Sequence, residues 1–464
     1  MKNFAVIPFN ASRIQDKYLI SNTLGNWAFL NDEEFRKIKC FDCERKTDLF
    51  KRLYQSGIIL DENNRDAALE QFKKLNRHLF LDTGLHIAVI TTRCNLNCRY
   101  CQTKLSKKSD MSRDTASNLL RCLFDVRNRN VTLEFQGGEP LLNWPTLSFM
   151  VENSRKLSEK NGKNLRLALV TNGTLLNENK MKFLTDFNVG ICISFDGPQI
   201  LHDKNRIYYN GRGTYKEVIA KIEFLKKQFQ KNVSLLPTIT RYSLNYHKQL
   251  IDEYVKFSQL TIALRPVNNI GNACANWQKI GYDAEDFINF YIRAMDYILE
   301  LNKRGVFIKE RTAVILLKKI LAGVDPGFVD LTNPCGAGRS QITYMPDGGC
   351  YPCDESRMLD EEMFMLGNVN QDRYESLMKK DNLLHLLEAS VMHCWDYNSV
   401  FLPWAGTCPI LNYASQNNIV PKIRCSSFNK IQNAQFRYVF KILEKNSEDA
   451  IIIKKWVKME ETNG

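Results

Sequence analysis

The sequence lacks a long hydrophobic run. Among its 464 residues no stretch of about eighteen apolar residues occurs, so no transmembrane helix is expected. The first ten residues have no extended apolar core, and we therefore expect no secretory signal. Basic residues are nowhere concentrated, although 64 Lys and Arg against 51 Asp and Glu give a net charge of +13. Scattered charges favour solvated helix faces over a nucleic-acid groove and still allow a modest attraction to an acidic peptide. These absences predict a cytoplasmic protein without membrane or nucleic-acid partners.

Cysteine, in contrast, is abundant, with 14 residues in the chain. In a reducing cytoplasm, cysteines are better explained as metal ligands than as disulfides. A hydrophobic content of 44% and a charged content of 25% are those of an ordinary folded protein. The length suffices for about two or three domains with a large core. The spacing of the cysteines then indicates which kind of metal centre to expect.

Three cysteines, Cys94, Cys98 and Cys101, lie within eight residues, directly after the apolar run at 86–92. A cubane iron–sulfur cluster is normally held by four thiolates, so three would leave one iron with an open position for a small molecule. Half of a zinc site and buried apolar thiols are the alternatives. The next cysteine, Cys122, falls within a helical pattern, which disfavours the zinc interpretation.

The Cys-x3-Cys-x2-Cys stretch, with the aromatic Tyr100 before its last cysteine, resembles the signature of the radical S-adenosylmethionine (SAM) enzymes. The resemblance implies that Cys94, Cys98 and Cys101 hold a [4Fe-4S] cluster whose open iron binds SAM. It also implies reductive cleavage of SAM to a 5′-deoxyadenosyl radical, which takes a hydrogen atom from an unactivated carbon. The expected electron donor is a reductase, a flavodoxin or a ferredoxin.

Between residues 86 and 268 strand-like and helix-like patterns alternate, which predicts a parallel β/α architecture. Several strands are continuous apolar runs, as expected where both faces are covered. The resemblance implies an α/β fold of a particular form, a partial (β/α)6 TIM-like barrel. The predicted strands are His86–Thr92, Val131–Gln136, Leu165–Thr171, Val189–Phe195, Val233–Thr240 and Leu260–Pro266, and the predicted helices are Ser112–Arg127, Trp144–Asn161, Asn177–Phe187, Thr214–Gln230 and Asn245–Phe257.

Ligands of such sheets collect at the carboxyl ends of the strands, where this sequence places glycines and polar residues. Gly137 and Gly138 permit a close backbone approach, and with Glu139 and Pro140 they resemble the family motif for the SAM amino group. The ends of the next strands resemble family motifs for the ribose and carboxylate of SAM. For Arg265, pairing with the substrate and an ordinary surface position are the alternatives to pairing with the SAM carboxylate. The cofactor-binding candidates are Tyr100, Gly137, Gly138, Glu139, Pro140, Thr171, Asn172, Ser194, Asp196 and Arg265.

Five segments are predicted along the chain. Residues 1–80 show short strands followed by capped helices, a winged-helix-like outline similar to peptide-recognition domains fused to radical SAM peptide maturases. Cys40 and Cys43 form an isolated Cys-x2-Cys motif in this segment and are predicted to be structural or incidental thiols. The remaining segments are the barrel at 81–275, a helical bridge at 276–330, a cysteine-rich domain at 331–430 and a helical tail at 431–464.

Six cysteines between 335 and 425 form a second group. The Cys-x12-Gly-x4-Cys spacing, from Cys335 through Gly348 to Cys353, resembles the SPASM extension, which carries auxiliary iron–sulfur clusters. Two clusters held wholly by cysteine need eight thiolates, and Trp404 stands where one of them is expected. We therefore predict a C-terminal SPASM-type domain with a single auxiliary cluster.

The predicted ligands of this auxiliary [4Fe-4S] cluster have two origins. The resemblance supplies Cys335, Cys353 and Cys408, and Cys350 is inferred as the fourth ligand because it is adjacent in the same hairpin. Cys394 and Cys425 are then left over, as thiols or as part of a degenerate second site. Zinc is the non-redox alternative for four of the six cysteines.

Over most of its length the sequence resembles the radical SAM maturases of the His-Xaa-Ser repeat peptide system, through residues 78–86, 110–113, 134–142 and 408–413. This implies a ribosomally made precursor peptide as substrate, with a crosslink or another modification as product. Asp354 resembles a base of the sulfatase-maturing enzymes, and capping of local amides is its alternative role. The alternative functions are a sulfatase-type maturase that oxidises Cys or Ser of a protein, and an iron–sulfur electron carrier or redox sensor.

Overall fold

A computed structural model describes residues 4–103, 108–230, 232–392, 399–420, 422, 425–445 and 447–461. Cys394 lies outside these residues. The strands are β1 Ala5–Val6, β2 Phe9–Ile14, β3 Lys17–Asn22, β4 Trp27–Leu30, β5 Ile59–Leu60, β6 Leu85–Val89, β7 Asn130–Gln136, β8 Asn164–Thr171, β9 Val189–Ser194, β10 Ser234–Leu236, β11 Thr238–Ile239, β12 Thr261–Ile262, β13 Arg265–Pro266, β14 Lys309–Glu310, β15 Gln341–Tyr344, β16 Gly349–Tyr351 and β17 Gly367–Asn368.

Helices connect and cover these strands. Several begin at side-chain caps, because Asn31, Thr47, Ser112 and Asn177 each accept a backbone N–H of the first turn. The helices are α1 Asp32–Lys39, α2 Asp48–Gln55, α3 Arg65–Leu75, α4 Arg113–Asp125, α5 Trp144–Asn161, α6 Glu178–Asp186, α7 Gln199–Asn205, α8 Tyr215–Phe229, α9 His247–Lys256, α10 Trp277–Ile280, α11 Ala284–Lys303, α12 Arg311–Leu317, α13 Asp354–Leu359, α14 Tyr374–Leu377, α15 Asp381–Val391, α16 Pro409–Gln416, α17 Ser427–Glu444 and α18 Glu448–Glu461.

An eight-stranded mixed sheet forms the centre of the molecule, in the order β10-β9-β8-β7-β6-β15-β16-β17. Strands β6 to β10 pair in parallel and in chain order, and helices lie between them in the sequence. Parallel neighbours need such crossovers, because a short turn cannot return the chain to the same edge. The predicted α/β architecture is confirmed.

The fifth and sixth predicted strands, 233–240 and 260–266, differ from the prediction because each is broken in two. Pro237 separates β10 from β11, since proline has no N–H to donate to a neighbouring strand. The last residues then form small separate parallel pairs, β11 with β13 and β12 with β14. The prediction of two unbroken strands is therefore wrong.

The two faces of the parallel strands differ, which corrects the expectation that both are apolar. On β7, Val131, Leu133 and Phe135 are buried in the helical layer, whereas the intervening residues line an internal cavity. Burying a side chain such as Phe135 stabilises the fold by about 1.5–3 kcal/mol. One face of the sheet therefore builds the core, and the other encloses a polar interior.

The cysteine-rich region is continuous with the barrel. β15 adds to the free edge of β6 in parallel, and β16 and β17 follow antiparallel. Tyr344 of β15 reaches back to His86 of β6, with 2.8 Å between the phenol oxygen and ring Nδ1. Both predicted cysteine groups are thus attached to one sheet.

The N-terminal residues form an antiparallel sheet, β2-β3-β4, with β1 paired to β5 and helices α1 and α2 beside it. Cys43 is buried in the core of this unit and Cys40 is exposed. The unit packs on the C-terminal helices: the ring centroids of Trp27 and Phe440 of α17 lie 5.2 Å apart. Its winged-helix-like outline stays a prediction.

In the part of the chain that the structure describes, no helix has both the length and the apolar composition needed to cross a bilayer. No disulfide joins any two of the described cysteines.

Candidate active site

A cavity of about 1180 Å³ runs along the inward face of the sheet. It begins at the cysteine loop, residues 94–101, and brings together eleven of the predicted site residues. These are Cys94, Cys98, Tyr100, Cys101, Gly137, Gly138, Thr171, Asn172, Ser194, Arg265 and Asp354. Glu139, Pro140 and Asp196 lie outside the cavity wall. The carboxyl ends of the parallel strands therefore converge on the cysteine loop, as the sequence predicts.

The end of strand β8 holds the cysteine loop through a ring of amides and a hydroxyl. Asn172 Nδ2 donates to Asn95 Oδ1 at 2.9 Å, and Asn95 Nδ2 donates to Thr174 Oγ1 at 2.8 Å. Thr174 Oγ1 donates in turn to Asn172 Oδ1 at 2.8 Å. The polar residues that were expected to bind SAM thus also hold the loop in position.

The two glycines after β7 are required by contact with the cysteine loop itself. A Cβ on Gly137 would lie 2.3 Å from the Thr91 carbonyl oxygen, and one on Gly138 would lie 2.3 Å from that of Arg93. Gly137 also has φ +154°, which side chains disfavour. The sequence predicted a close approach of this backbone to a ligand, whereas the structure shows a close approach to the chain that leads into the cysteine loop.

Glu139 occupies a different place from the one the sequence suggests. Its carboxylate is fully buried and accepts hydrogen bonds from Thr171 Oγ1 at 2.7 Å, the Asn172 amide at 2.8 Å and the Leu141 amide at 3.1 Å. Burial raises its pKa, and these hydrogen bonds oppose that rise. The carboxylate therefore ties two strand ends together, and its position behind the wall argues against direct pairing with the SAM amine.

Asp196 likewise lies behind the cysteine loop. It is 1% exposed and accepts hydrogen bonds from Arg206 Nε at 3.1 Å, Tyr100 Oη at 3.1 Å and the Thr238 amide at 3.0 Å. The Arg206 guanidinium lies over the Tyr100 ring, 5.1 Å from its centroid. This buried group supports the loop between Cys98 and Cys101 instead of facing the cavity.

The three thiols of the loop lie near one another. Burial raises the pKa of Cys94 and Cys98, and the charge of Cys101 adds to both shifts, so the three are neighbours. Among the described residues, no group of three His, Cys, Asp or Glu side chains forms a site for one metal ion. Three cysteine ligands suffice for three irons of a cubane cluster.

Burial governs the protonation of these thiols. It raises the pKa of Cys94 to about 11, and it also raises that of Cys98, where the charge of Arg206 acts in the opposite direction. In the absence of metal the loop therefore holds neutral thiols. A bound metal favours the thiolate strongly, so the site is suited to a cationic cluster.

Asp354 lines the cavity at the start of α13, and its partner is an arginine on the same helix. Arg357 Nε donates to Asp354 Oδ1 at 2.7 Å, and Arg357 Nη2 donates to Gln136 Oε1 at 3.0 Å. Arg357 Nη1 is buried and has no hydrogen-bond partner among the described residues. The arginine thus links α13 to the end of β7 and leaves one donor free at the cavity.

Glu134 is a second cavity carboxylate, which the sequence interpretation did not assign. It accepts a hydrogen bond from Gln136 Nε2 at 2.7 Å, and burial raises its pKa, with Asp354 adding to the rise. Glu134 and Arg357 are both cavity residues that the sequence analysis did not assign, and the sequence contains a signal for each. Thr132, Glu134 and Gln136 alternate with apolar residues along a strand, and Asp354 and Arg357 have helical i,i+3 spacing.

The second cysteine group is only partly assembled as predicted. Cys335, Cys353 and Cys408 are buried, and the charges of Cys408 and Cys335 raise the pKa of Cys353, after burial itself and Glu355. The charges of Cys335 and Cys408 therefore reach Cys353. Cys425 is exposed.

Cys350 lies elsewhere, which argues against its inferred role as the fourth ligand. It pairs with Tyr344 in the β15–β16 ladder, and burial and then the charge of Cys122 on α4 raise its pKa. Because alternate residues of a strand point to opposite faces, adjacency in the hairpin did not decide its direction. Trp404, which occupies the position where a thiolate was expected, is buried in the core. The centroid of its ring lies 5.5 Å from that of Phe440.

Comparison with known proteins identifies the barrel. Residues 88–253 match the model of the Radical SAM superfamily, whose members use a [4Fe-4S] cluster and SAM. A cysteine-type anaerobic sulfatase-maturating enzyme of Clostridium novyi is 25% identical over 65% of this chain and 81% of its own. The radical SAM cyclopropyl synthase TigE of Paramaledivibacter caminithermalis is 23% identical over 81% of this chain and 78% of its own.

Two solved structures share the fold. That of anSMEcpe with bound AdoMet covers 78% of this chain and 98% of its own, with a TM-score of 0.67 and 21% identity. That of Streptococcus suis SuiB bound to the precursor peptide SuiA covers 91% and 98%, with a TM-score of 0.55 and 14% identity. The resemblance inferred from the cysteine loop is confirmed.

Proposed function

We propose, from the premise that residues 88–253 of this chain form a radical SAM domain, that the protein modifies a ribosomally made precursor peptide. The observation that carries the proposal is the three-thiol loop at one end of a cavity of about 1180 Å³. This volume exceeds the roughly 300–1,000 Å³ of ordinary small-molecule sites. It has room for a cofactor and for part of a peptide.

The cofactors would supply one chemical capability, a 5′-deoxyadenosyl radical that can take hydrogen from an unactivated carbon. Cys94, Cys98 and Cys101 would hold the cluster and leave one iron for SAM. Thr171, Asn172, Ser194 and Arg265 lie where they can contact SAM from the strand ends. The wall orients the reactants and limits access of water, which is the protein's usual contribution beside such a cofactor.

The extent of two comparisons supports the proposal of a precursor peptide as substrate. The likeness to SuiB extends over 91% of this chain, whereas that to anSMEcpe covers 78%. TigE, a cyclopropyl synthase, matches 81% of the chain, whereas the sulfatase-maturating enzyme matches 65%. We further propose that residues 1–80 recognise the peptide, because their strands and helices form a separate small unit with its own core.

The test is anaerobic reconstitution with SAM and dithionite, followed by chromatography for 5′-deoxyadenosine and mass spectrometry of added peptides. We expect 5′-deoxyadenosine and loss of hydrogen from a peptide encoded beside this chain. Oxidation confined to a Cys- or Ser-containing sulfatase peptide would favour the sulfatase-type maturase instead. Clusters that are reduced without any SAM cleavage would indicate an electron carrier or redox sensor.

We propose a single auxiliary [4Fe-4S] cluster in the C-terminal region, held by Cys335, Cys353 and Cys408. The three buried thiols and the charge coupling at Cys353 support it. The position of Cys350 beside Cys122 removes the support for a fourth ligand from the hairpin. The auxiliary cluster would accept an electron after hydrogen abstraction or would contact the substrate.

Asp354 and Glu134 are the two candidates for a base that removes a proton from the substrate. Asp354 forms an ion pair with Arg357, with 2.7 Å between Nε and Oδ1, whereas burial raises the pKa of Glu134. We expect Asp354→Asn or Glu134→Gln, whichever replaces the base, to keep 5′-deoxyadenosine formation and lower peptide conversion at least about tenfold. Liquid chromatography of both products in one reaction measures this. Equal conversion by both variants and wild type would exclude both carboxylates.

A further inference from the structure

The cavity has a second mouth, remote from the cysteine loop. Its wall follows β7 from Gly137 back through Gln136, Glu134 and Thr132 to Asn130, where the strand begins. Seven strand residues at a rise of about 3.3 Å each extend about 20 Å. The first residues of neighbouring strands line the same end, including Ser234 of β10 and Gln341 of β15. The cavity therefore extends from the carboxyl ends of the parallel strands to their amino ends.

Three arginines surround this remote mouth, and each comes from a different part of the chain. They are Arg77 after α3, Arg166 in β8 and Arg339 before β15. None of the three forms an ion pair with another described residue within 4.0 Å. Asp82, an acid of the wall, is engaged by Arg127 through Nε at 3.2 Å and Nη2 at 3.1 Å. The charge of Arg339 also acts on Asp82, so one carboxylate faces two guanidinium groups and the mouth keeps a net positive charge.

The excess of positive charge continues inward. Seven arginines and no lysine line the cavity, against five acidic residues. Two of those acids serve bases outside the wall, because Asp82 pairs with Arg127 and Asp325 pairs with the buried Lys319 at 2.8 Å. One arginine of the wall, Arg206, pairs in turn with Asp196 outside it, so an excess of arginine remains. A cavity with an excess of one sign of charge concentrates counter-ions, since its low-dielectric walls focus the field.

We propose that the remote mouth binds an acidic segment of the peptide substrate, an inference that rests on the proposed function. Guanidinium groups form paired hydrogen bonds with carboxylates, and three of them can engage successive Asp or Glu side chains. The neighbouring polar residues, Asn128, Asn130 and Ser340, offer further hydrogen bonds.

The geometry fixes where the acidic residues stand in the substrate. An extended chain advances about 3.3–3.6 Å per residue. With the modified residue at the cysteine loop, a segment that crosses about 20 Å of the cavity places its acidic residues about six positions away. The remote mouth would thus select peptides by charge at a fixed distance from the reaction.

The test compares two fluorescein-labelled peptides of about twelve residues, one ending in three aspartates and the other in three asparagines, on the full-length reconstituted protein. We expect anisotropy titrations to show about tenfold tighter binding of the aspartate peptide. The preference should weaken as salt is added, because salt screens exposed charges. In Arg166→Glu/Arg339→Glu it should disappear.

The matched control is Lys156→Glu/Lys216→Glu, which changes the net charge equally on the outer helices α5 and α8. It should keep the preference. Circular dichroism and iron content verify folding of both variants, and Arg166→Gln/Arg339→Gln provides a milder change. Equal binding of the two peptides, or an unaltered preference in the arginine variants, would overturn the proposal.

Three further outcomes are decisive. Equal competition by a single-stranded oligonucleotide of about twelve nucleotides would overturn the peptide assignment in favour of nucleic acid. If the wild-type protein prefers the aspartate peptide and yet cleaves no SAM, the proposed function fails and the charge recognition stands. If it cleaves SAM but binds the two peptides equally, the proposed function stands and the charge recognition fails.

Discussion

Replacing Cys94, Cys98 and Cys101 together by alanine is expected to abolish 5′-deoxyadenosine formation and to remove about four irons per chain. These thiols line the same end of the cavity as the two glycines after β7. Without them no side chain of the loop can hold the cluster to which SAM binds. Anaerobic iron analysis and chromatography of the reaction measure both losses, and surviving turnover would show that the catalytic assignment is wrong.

The same variant reports on the second cysteine group. We expect about four irons to remain if one auxiliary cluster is present, and about eight would contradict a single cluster. Adding Cys353→Ala should remove the remaining iron. Adding Cys350→Ala instead should leave it, because Cys350 lies beside Cys122, away from the three predicted ligands. The two substituted cysteines are only three positions apart in the sequence, so each variant serves as the control for the other.

The second large effect is expected from Asp196→Ala. The substitution leaves Arg206 buried without its counter-charge, since the pair is only 1% and 8% exposed at the two side chains. Breaking a buried ion pair in this way costs about 3–5 kcal/mol. Tyr100 loses its hydrogen-bond acceptor at the same time, so the iron content should fall as well. Urea denaturation and iron analysis measure the two effects.

Two variants control for this result. Asp196→Ala/Arg206→Leu removes both charges and should recover part of the lost stability, because no unpaired charge stays buried. Asp186→Ala removes an exposed partner of Lys182 and should change stability by less than about 0.5 kcal/mol. If the single Asp196 variant were as stable as the Asp186 variant, the buried pair would not support the loop.

Sequence patterns predicted the parts of the site that follow from spacing. The cysteine loop, the strand ends and the glycines after β7 meet at one edge, because parallel strands bring their carboxyl ends together. The patterns did not predict which polar groups face the cavity. Glu139 and Asp196 stand in strand-end motifs, yet their carboxylates are satisfied behind the wall. Such a choice depends on contacts between segments distant in sequence.

Direction within an element was the other source of error. Cys350 and Cys353 are close in sequence, but Cys350 belongs to a strand and Cys353 begins a helix. The break between β10 and β11 was predictable from the sequence, because Pro237 has no backbone N–H to donate. The pairing of β15 with β6 was not predictable, because some 250 residues separate the two strands.

The placement of β15 has a consequence for synthesis of the chain. Until residues 341–344 have left the ribosome, β6 has neighbours on one side only. An unpaired strand edge is a template for association with other chains. Gene fragments that stop after the barrel are therefore expected to aggregate through the exposed edge of β6.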